Sequence, residues 1–517
     1  MGLIMAVFEA AVLAVCCVAG GWRLLHYFQL ESYQLPGYWR SIRRNAKKAL
    51  LPGLAMAACG VAGLRIGLPV VVRLALVAVL AWLLFVQAKK EKAKKPFVVT
   101  ERVKRLIAMH AATAFAVLLL VRAVLPHALF YLTPAFEAAL IALAAVCAQP
   151  IEKHINQQFV NDAKKRLESN PNLIRIGITG SYGKTSTKFL LRDILSVRYN
   201  VLATPSSFNT TMGVTRVIRE QLMPSHQVFI AEMGARHVGD IKELVDLVHP
   251  TIGLLTSVGP QHLDTFGTIE RIKNTKYELI DGLPQNGTAI LARDGAICEE
   301  LYARCPLEEK YMPGDLVAAG DIEVGPWGTR FTITDTKTGE SARCETRLLG
   351  EHSIANLLLC CTAARVLGMT LEEIALGVAR CQPVEHRLQL LGGAGGVTII
   401  DDAFNANPVG AQAALRVLQK FPGRRIIVTP GMVELGGEEA AFNRRFGEQM
   451  AKSVDVAFLV GRKHTQPIVD GLLEAGFPQE NIHVVSSLDE STKVLHAMMK
   501  AGDVVLYEND LPDNYSE

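Results

Sequence analysis

The fold of this chain is decided by an eight-residue stretch, Thr179-Gly180-Ser181-Tyr182-Gly183-Lys184-Thr185-Ser186. An apolar run that predicts a strand, 173–178, precedes it, and a helical pattern, 186–195, follows it. Glycines between a strand and a helix let backbone N–H groups approach an anion, while a lysine and a hydroxyl group neutralise phosphate and bind magnesium. The order predicts a nucleoside triphosphate site. It is a shortened phosphate-binding loop, because Ile178 stands where the general motif has glycine.

The length of 517 residues predicts about three domains, since one hydrophobic core does not grow that large. Residues 1–150 are dominated by apolar runs, whereas residues 151–384 and 385–517 alternate apolar and charged segments as α/β domains do. The net charge of +4 averages over these regions and gives no reason to expect a nucleic-acid partner. The ten cysteines show no paired metal-ligand spacing, so we expect them to be reduced and to serve packing.

Apolar stretches in the first 150 residues are marginal to adequate in length for helices that cross a bilayer. They lie at about 3–22, 49–64, 68–86, 106–121 and 127–148. We expect five spans, or three to five if the second and third, separated only by 65–67, form a re-entrant pair. Basic residues are concentrated after the first and third stretches, so both loops and everything after Pro150 are expected in the cytoplasm. This pattern predicts a multi-pass protein of the cell membrane with its nucleotide site on the cytoplasmic side.

Two charged residues, Arg73 and Glu137, fall inside the predicted spans. Residues of this kind usually face protein or water, so they either mark a substrate path or lie at the helix ends. The segment 31–45 mixes aromatic residues with arginines and is expected at the membrane surface. It serves there either as an anchor or as a site for an anionic membrane lipid.

Beyond the phosphate-binding loop, strand-like runs alternate with amphipathic helical segments, which predicts a mostly parallel sheet covered by helices. Glu232 follows the run 228–231, where a carboxylate at the sheet edge is suited to hold magnesium. His262 follows the run 252–256 and is either a second metal ligand or a packed residue.

Several separated motifs, taken in chain order, resemble the signature of the Mur ligase family. They are Gly180-Ser181-Tyr182-Gly183-Lys184-Thr185, Asn209 within 206–214, Ala231-Glu232-Met233-Gly234-Ala235, 259–267, Gly350-Glu351-His352-Ser353-Ile354-Ala355-Asn356, His386-Arg387-Leu388 and 401–408. The last motif, Asp401-Asp402-Ala403-Phe404-Asn405-Ala406-Asn407-Pro408, together with 433–436, is closest to the branch that adds D-alanyl-D-alanine, called MurF. The resemblance spans about residues 173–507.

The apolar stretches predict a helical membrane region, and the resemblance implies that α/β domains follow it: a central P-loop Mur ligase domain and a C-terminal Rossmann-like domain. It also implies an ATP-dependent amide ligase of peptidoglycan precursor synthesis. ATP phosphorylates a carboxylate, an amine attacks the resulting acyl phosphate, and an amide forms with release of ADP and phosphate. The expected substrates are a cell-wall peptide precursor and an amino acid or dipeptide, and other cell-wall synthesis proteins are expected partners.

The resemblance further assigns roles to individual residues. Contacts to the nucleotide are implied for Gly180, Ser181, Gly183, Lys184, Thr185, Ser186, Asn209, Asn356 and Arg387. Ligands of Mg²⁺ are implied at Thr185, Glu232, His262 and Lys276, the lysine in a carbamylated form. Catalytic roles are implied for Lys184, Lys276, His262 and Asp402.

The chain departs from the family pattern in three places that concern the substrates. Membrane spans stand where the family has a UDP-binding domain, which favours a carboxylate substrate held differently, for example as a lipid-linked precursor. Phe404 replaces a common tyrosine, and Glu508-Asn509-Asp510-Leu511-Pro512 replaces a Lys-Gly-Ser-Arg sequence after the final strand. In this family, basic groups typically hold the carboxylate of the incoming amine. The loss of two cations therefore leaves the identity of that amine undetermined.

The alternative functions are a polyglutamate-type or other membrane-bound amino-acid ligase, a transport ATPase, and an inactive scaffold.

Overall fold

The structure is a computed structural model of the chain. It describes all residues except 1, 92–95, 207, 262, 326–327, 384, 393, 404–406, 434, 463 and 511–517. Two compact units are present, Met1–Gln158 and Phe159–Glu517, and the division between them falls inside one long helix.

The first unit is helical. Its helices are α1 (Gly2–Gly20), α2 (Trp22–Leu30), α3 (Leu35–Arg44), α4 (Ala46–Arg65), α5 (Val70–Lys90), α6 (Glu101–Val124), α7 (His127–Leu132) and α8 (Glu137–Glu168), which continues into the second unit. By length and composition alone, α4, α5, α6 and the segment His127–Glu168 are each sufficient to cross a membrane. The bent pair α1–α2 makes a fifth if it counts as one span. The second and third predicted stretches form separate helices of 20 and 21 residues.

Charged side chains inside this unit are paired with other protein groups. Glu137 is 3 % exposed, and its Oε1 lies 2.6 Å from Nε2 of the fully buried His110. The guanidinium of Arg73, which is 5 % exposed, lies over the ring of Tyr131 at 5.1 Å from the ring centroid. The two charged residues that the sequence places within spans therefore face protein.

The second unit begins with a parallel α/β sheet. Its elements are β1 (Ile174–Thr179), α9 (Lys184–Leu195), β2 (Val201–Ala203), α10 (Thr211–Gln221), β3 (Val228–Glu232), α11 (Asp240–Val248), β4 (Ile252–Leu255), α12 (Leu263–Phe266), α13 (Ile269–Asp281), β5 (Thr288–Leu291), α14 (Gly295–Arg304) and β6 (Lys310–Tyr311). The strand order is β2-β3-β1-β4-β5-β6, and all neighbours are parallel. Because the chain leaves β1 in one direction and later returns to its other side, the loop after β1 lies at a topological switch point, where ligands bind.

A small antiparallel sheet and two helices complete this part of the unit. They are β7 (Val317–Gly325), β8 (Gly328–Asp335), β9 (Ser341–Thr346), α15 (Glu351–Val366) and α16 (Leu371–Arg380). The sequence predicts short strands over about 309–347, with a turn at 326–328. The first of these strands, β6, joins the parallel sheet and not the small antiparallel one. Most of the turn lies outside the described residues.

The remaining elements form a second six-stranded sheet. They are β10 (Gln389–Gly392), β11 (Thr398–Asp402), α17 (Pro408–Leu418), β12 (Arg425–Thr429), α18 (Glu439–Met450), β13 (Val456–Val460), α19 (Gln466–Glu474), β14 (Ile482–Val485), α20 (Leu488–Met498) and β15 (Val504–Glu508). The order is β10-β11-β15-β12-β13-β14, with β10 antiparallel and the rest parallel. The edge strands β10 and β14 are not among the sequence-predicted strands, because each is a four-residue run without a clear alternating pattern.

Candidate active site

The loop between β1 and α9 has a backbone that two glycines make possible. Gly183 has φ +79°, and a Cβ there would lie 2.9 Å from Oδ1 of Asn356. Gly180 has φ +149°, and a Cβ there would lie 2.1 Å from Oγ1 of Thr256. Helix α9 begins at Lys184, two residues earlier than the sequence predicts, because Gly183 is already the N-cap residue in the left-handed conformation. The loop is thus a compact cradle at a helix N-terminus, as phosphate binding requires.

Strand β4 holds the loop in place through the residues that follow it. The backbone N–H of Ser181 donates to the Ser257 carbonyl at 2.8 Å, and the N–H of Tyr182 donates to Oγ of Ser257 at 2.8 Å. Oγ of Ser181 donates to the Gly259 carbonyl at 3.0 Å and accepts from the Gly259 N–H at 2.9 Å. The loop is therefore ordered by hydrogen bonds within the protein.

Lys184 is folded across this loop. Its Nζ donates to the carbonyl oxygens of Gly180 at 2.7 Å and Ser181 at 3.0 Å. Burial lowers the pKa of Lys184 to about 8, the charge of Glu232 opposes this, and the charge of Arg387 adds to the lowering. A cation held in place and poorly solvated interacts strongly with an anion that enters the loop.

Glu232, at the end of β3, is 1 % exposed and lies at the centre of a polar network. Its Oε1 accepts from Oγ1 of Thr185 at 3.1 Å and from Nδ2 of Asn209 at 3.0 Å. Its Oε2 accepts from Nζ of Lys188 at 2.9 Å. Sequence reasoning missed Lys188, although a lysine on the apolar face of α9, one turn after Lys184, is a usable signal.

The same network shows whether the predicted magnesium ligands fit the ion. The Thr185 hydroxyl and the Glu232 carboxylate present two oxygen atoms 3.1 Å apart beside the loop. Mg²⁺ typically takes one or two protein oxygens and completes its shell with phosphates and water, so this pair fits. His262 lies outside the described residues. No group of three or more His, Cys, Asp or Glu suited to a metal occurs in the described part of the chain.

Lys276 lies on α13 and is 2 % exposed. Burial, together with the positive charge of Lys184, lowers its pKa to about 7, while the charges of Asp240 and Glu278 act in the opposite direction. Lys276 is therefore close enough to Lys184 to sense its charge.

A cleft of about 600 Å³ lies above the loop. Of the residues predicted from sequence, it is lined by Ser181, Gly183, Lys184, Thr185, Ser186, Asn356, Arg387 and Asp402. Gly180 and Glu232 form hydrogen bonds with the lining residues Lys184 and Thr185, and Asn209 is linked to them only through Glu232. The cleft thus brings the phosphate-binding loop together with residues of the second six-stranded sheet, which is the arrangement the sequence predicts for Lys184 and Asp402.

Two carboxyl groups face the cleft from the second sheet, the half-buried Asp402 and the buried Glu508. Oδ1 of Asp402 accepts from the Leu388 N–H at 3.1 Å, and burial raises the pKa of Asp402 to about 6 against the effect of Arg387. Glu508 also lines the cleft. Burial, assisted by the charge of Asp402, raises the pKa of Glu508 to about 8. The sequence marks Glu508 only as a departure from the family pattern.

A phosphate-binding loop on one parallel sheet, facing an arginine and acids from a second sheet, defines a two-lobed nucleotide-dependent enzyme. Residues 178–364 match the model of the Mur ligase middle domain, and residues 386–507 match that of the Mur ligase glutamate ligase domain. The chain belongs to the Mur ligase family and is a MurF-like ATP-dependent ligase. Membership of the Mur ligase family disagrees with the alternative that this chain is a transport ATPase.

Similar proteins are found by sequence and by structure. The UDP-N-acetylmuramoyl-tripeptide–D-alanyl-D-alanine ligase of Mycobacterium bovis is 34% identical over 364 residues, which cover 64% of this chain and 69% of the relative. The enzyme of the same name from Escherichia coli is 31% identical, with 62% and 73% covered. MurF from Acinetobacter baumannii superposes with a TM-score of 0.62 at 26% identity, covering 69% of this chain and 77% of that one. MurF from Thermotoga maritima, solved with ADP, gives 0.61 at 25% identity, covering 69% and 80%.

Proposed function

We propose that this chain is a MurF-type ligase of peptidoglycan precursor synthesis. It joins the carboxylate of a UDP-MurNAc-peptide to the amino group of D-alanyl-D-alanine and converts ATP to ADP and phosphate. The names of the sequence relatives support the two substrates, and the ADP bound to the Thermotoga maritima structure supports the nucleotide. The observation that carries the proposal is the single cleft lined by both Lys184 and Asp402.

The geometry suits phosphoryl transfer to an anion. The substrate carboxylate attacks the terminal phosphorus of ATP, ADP leaves, and an acyl phosphate forms. Two anions approach each other in this step, so positive groups must reduce the repulsion. Lys184 and the N-terminus of α9 line the cleft, where they would face the terminal phosphates, and Arg387, which precedes β10, lines the same cleft. Thr185 and Glu232 would hold Mg²⁺, which neutralises phosphate charge when bound.

The second step is attack by an amine. Its nitrogen forms a bond to the acyl carbon, the bond from that carbon to the phosphate oxygen breaks, and phosphate leaves with the proton lost by nitrogen. Phosphate is a far better leaving group than the oxygen of a free carboxylate, so the first step makes the second possible.

We include a carbamate on Lys276 in this proposal. A lysine with a pKa of about 7 has a large neutral fraction near pH 7, and a neutral amine reacts with carbon dioxide to give a carbamate. The product is an anion in place of a buried cation, which suits a group near Lys184 and a divalent metal ion.

We also propose that the first unit holds the enzyme at the inner face of the cell membrane. The apolar lengths of α4, α5, α6 and His127–Glu168 support this, as do the basic residues at the ends of α3 and α5. In the order of the chain, the first unit stands where the family has a UDP-binding domain. A lipid-linked precursor is then the alternative carboxylate substrate.

The test is ADP release by the full-length protein in detergent. We expect ADP only when ATP, UDP-MurNAc-tripeptide and D-alanyl-D-alanine are all present, and Lys184→Ala should reduce the rate at least about 100-fold because the main cation at the phosphates is lost. The same assay with lipid-linked precursor identifies the preferred carboxylate. Removal of carbon dioxide from the buffer should lower the rate if Lys276 carries a carbamate. ADP release that is independent of both substrates would contradict the proposal.

A further inference from the structure

Three neighbouring strands of the second sheet deliver polar side chains to the same edge. Asp402 ends β11, Glu508 ends β15 and Thr429 ends β12. Asp402 and Glu508 are direct register partners on parallel strands, so their side chains project from the same face of the sheet. Two carboxyl groups therefore lie side by side at the wall of the cleft.

Glu508 is 1 % exposed, yet only one of its carboxyl oxygens is used within the described residues. Its Oε2 accepts from Oγ1 of Thr429 at 3.1 Å. Its Oε1 is buried and has no hydrogen-bond partner in the described part of the chain. A buried carboxyl oxygen that accepts no hydrogen bond destabilises the folded protein. In the wall of a cleft, such an oxygen indicates that a bound ligand supplies the missing donor.

The charges around the cleft indicate which ligand supplies that donor. Lys184 and Arg387 line it and suit the phosphates of ATP and the anionic carboxylate substrate. Asp402 and Glu508 would repel those groups. The remaining reactant is the amine, which is a cation with N–H donors before it reacts. Glu508 also stands at the start of the segment where the family resemblance leads us to expect Lys-Gly-Ser-Arg, so the charge at this position is reversed.

We propose that Glu508, together with Asp402, forms the subsite for the amino group of the incoming amine and accepts its proton. This inference rests on the proposed function. The ammonium group transfers a proton to the carboxylate, giving a carboxylic acid and a neutral amine. The amine then attacks the acyl phosphate, and the acid later returns its proton to water. Burial raises the pKa of Glu508 to about 8, so the group holds a proton at lower pH while no cation is near it. An ammonium group that binds beside it favours the ionised form, the proton passes to water, and the resulting carboxylate is a strong proton acceptor.

The experiment compares Glu508→Gln with the wild type, using D-alanyl-D-alanine, UDP-MurNAc-tripeptide and ATP. Glutamine keeps the shape and can accept from Thr429, but it has no charge and cannot take a proton. We expect the KM for the dipeptide to rise at least about tenfold and the KM for ATP to change less than about twofold. Glu508→Asp should lie between the two proteins. Glu480→Gln, an exposed change on the same sheet domain, should leave both constants unchanged.

Three results would overturn the inference. A rise in the KM for ATP alone would show that Glu508 contacts the nucleotide, and unchanged constants would show that it contacts no substrate. A Glu508→Asp variant that is impaired while Glu508→Gln is not would show that only the local packing matters. The melting midpoint of each variant establishes that it is folded under the assay conditions.

Hydroxylamine separates this inference from the proposed function on which it rests. It traps an acyl phosphate as a hydroxamate without the dipeptide, so hydroxamate formation by the wild type reports the first step alone. We expect Glu508→Gln to form hydroxamate at close to the wild-type rate. If the wild type forms none, the proposed function and this subsite are both wrong. If both proteins form it and also use the dipeptide equally, only the subsite is wrong.

Discussion

Glu232 shows how a single buried carboxylate organises the site before any ligand is bound. Its two oxygens accept from Thr185, Asn209 and Lys188, and it is almost fully buried. Thr185 and Lys188 come from helix α9 and Asn209 from the segment before α10, and each fixes a side chain beside the phosphate-binding loop. Fixed donors need little reorganisation when charge develops in a reaction, which is the main source of electrostatic catalysis.

Glu508 leads to a prediction about stability and pH. Its carboxyl has a pKa of about 8 when folded and near the ordinary 4.5 when unfolded. Between these values the folded state holds the proton and the unfolded state does not, so this residue favours the folded state at low pH and loses that contribution as pH rises towards 8. Asp402 faces Glu508 and reinforces the effect, Arg387 acts on Asp402, and Thr429 donates to Glu508.

We therefore expect the stability of the wild type relative to Glu508→Gln to fall between pH 5 and pH 8, by up to about 4 kcal/mol. Melting midpoints of the two full-length proteins, measured across this range, provide the check. A difference between the midpoints that does not vary with pH would contradict the prediction.

Helices α18 and α19 illustrate packing that depends on glycine at the level of elements. A Cβ at Gly471 would lie 2.1 Å from the carbonyl oxygen of Arg444, and a Cβ at Gly447 would lie 2.2 Å from that of Ile468. The two helices thus approach backbone to backbone at both positions. Apolar residues of both helices share one hydrophobic core with residues of β13.

Gly471→Ala should push α19 away from α18 and destabilise the protein by about 1–3 kcal/mol. The loss would appear although alanine is the better helix former, because a clash with a backbone oxygen is not relieved by side-chain rotation. Chemical denaturation of the second unit, followed by intrinsic fluorescence in the full-length protein, measures the effect. A variant as stable as the wild type would show that the helices separate freely.

The elements that position the site were largely predictable. The ends of β1, β3 and β4 follow from apolar runs that are bounded by polar or glycine residues. The sequence predicts strands at 425–429 and 456–460, and β12 and β13 have these same bounds. Antiparallel β10 was not predicted, because its partner lies beyond a turn and its own four residues carry no distinct pattern.

The molecule as a whole combines a helical unit with a ligase unit, and the membrane is the expected setting for the first. We predict that the full-length protein stays in the membrane pellet after alkaline carbonate and is released by detergent, since α4, α5, α6 and the segment His127–Glu168 are long and apolar enough to cross a bilayer. Recovery in the carbonate wash would contradict membrane insertion.

The expected cytoplasmic position of the nucleotide site gives a second prediction. ATP supplied outside inverted vesicles should support ligation, whereas ATP outside right-side-out vesicles should not.

The sequence by itself determined the phosphate-binding loop, the family and the acids at the ends of the strands, because these depend on local residue types and on the alternation of strands and helices. Only the tertiary structure decided that Lys188 neutralises Glu232 and that Glu508 and Asp402 stand side by side in the cleft wall. These contacts join residues 44 and 106 positions apart in the chain. Burial then shifts the pKa values of these groups, because the free energy of removing a charge from water depends on the groups that surround it. Those surroundings are set by the tertiary structure and cannot be read from neighbouring residues in the sequence.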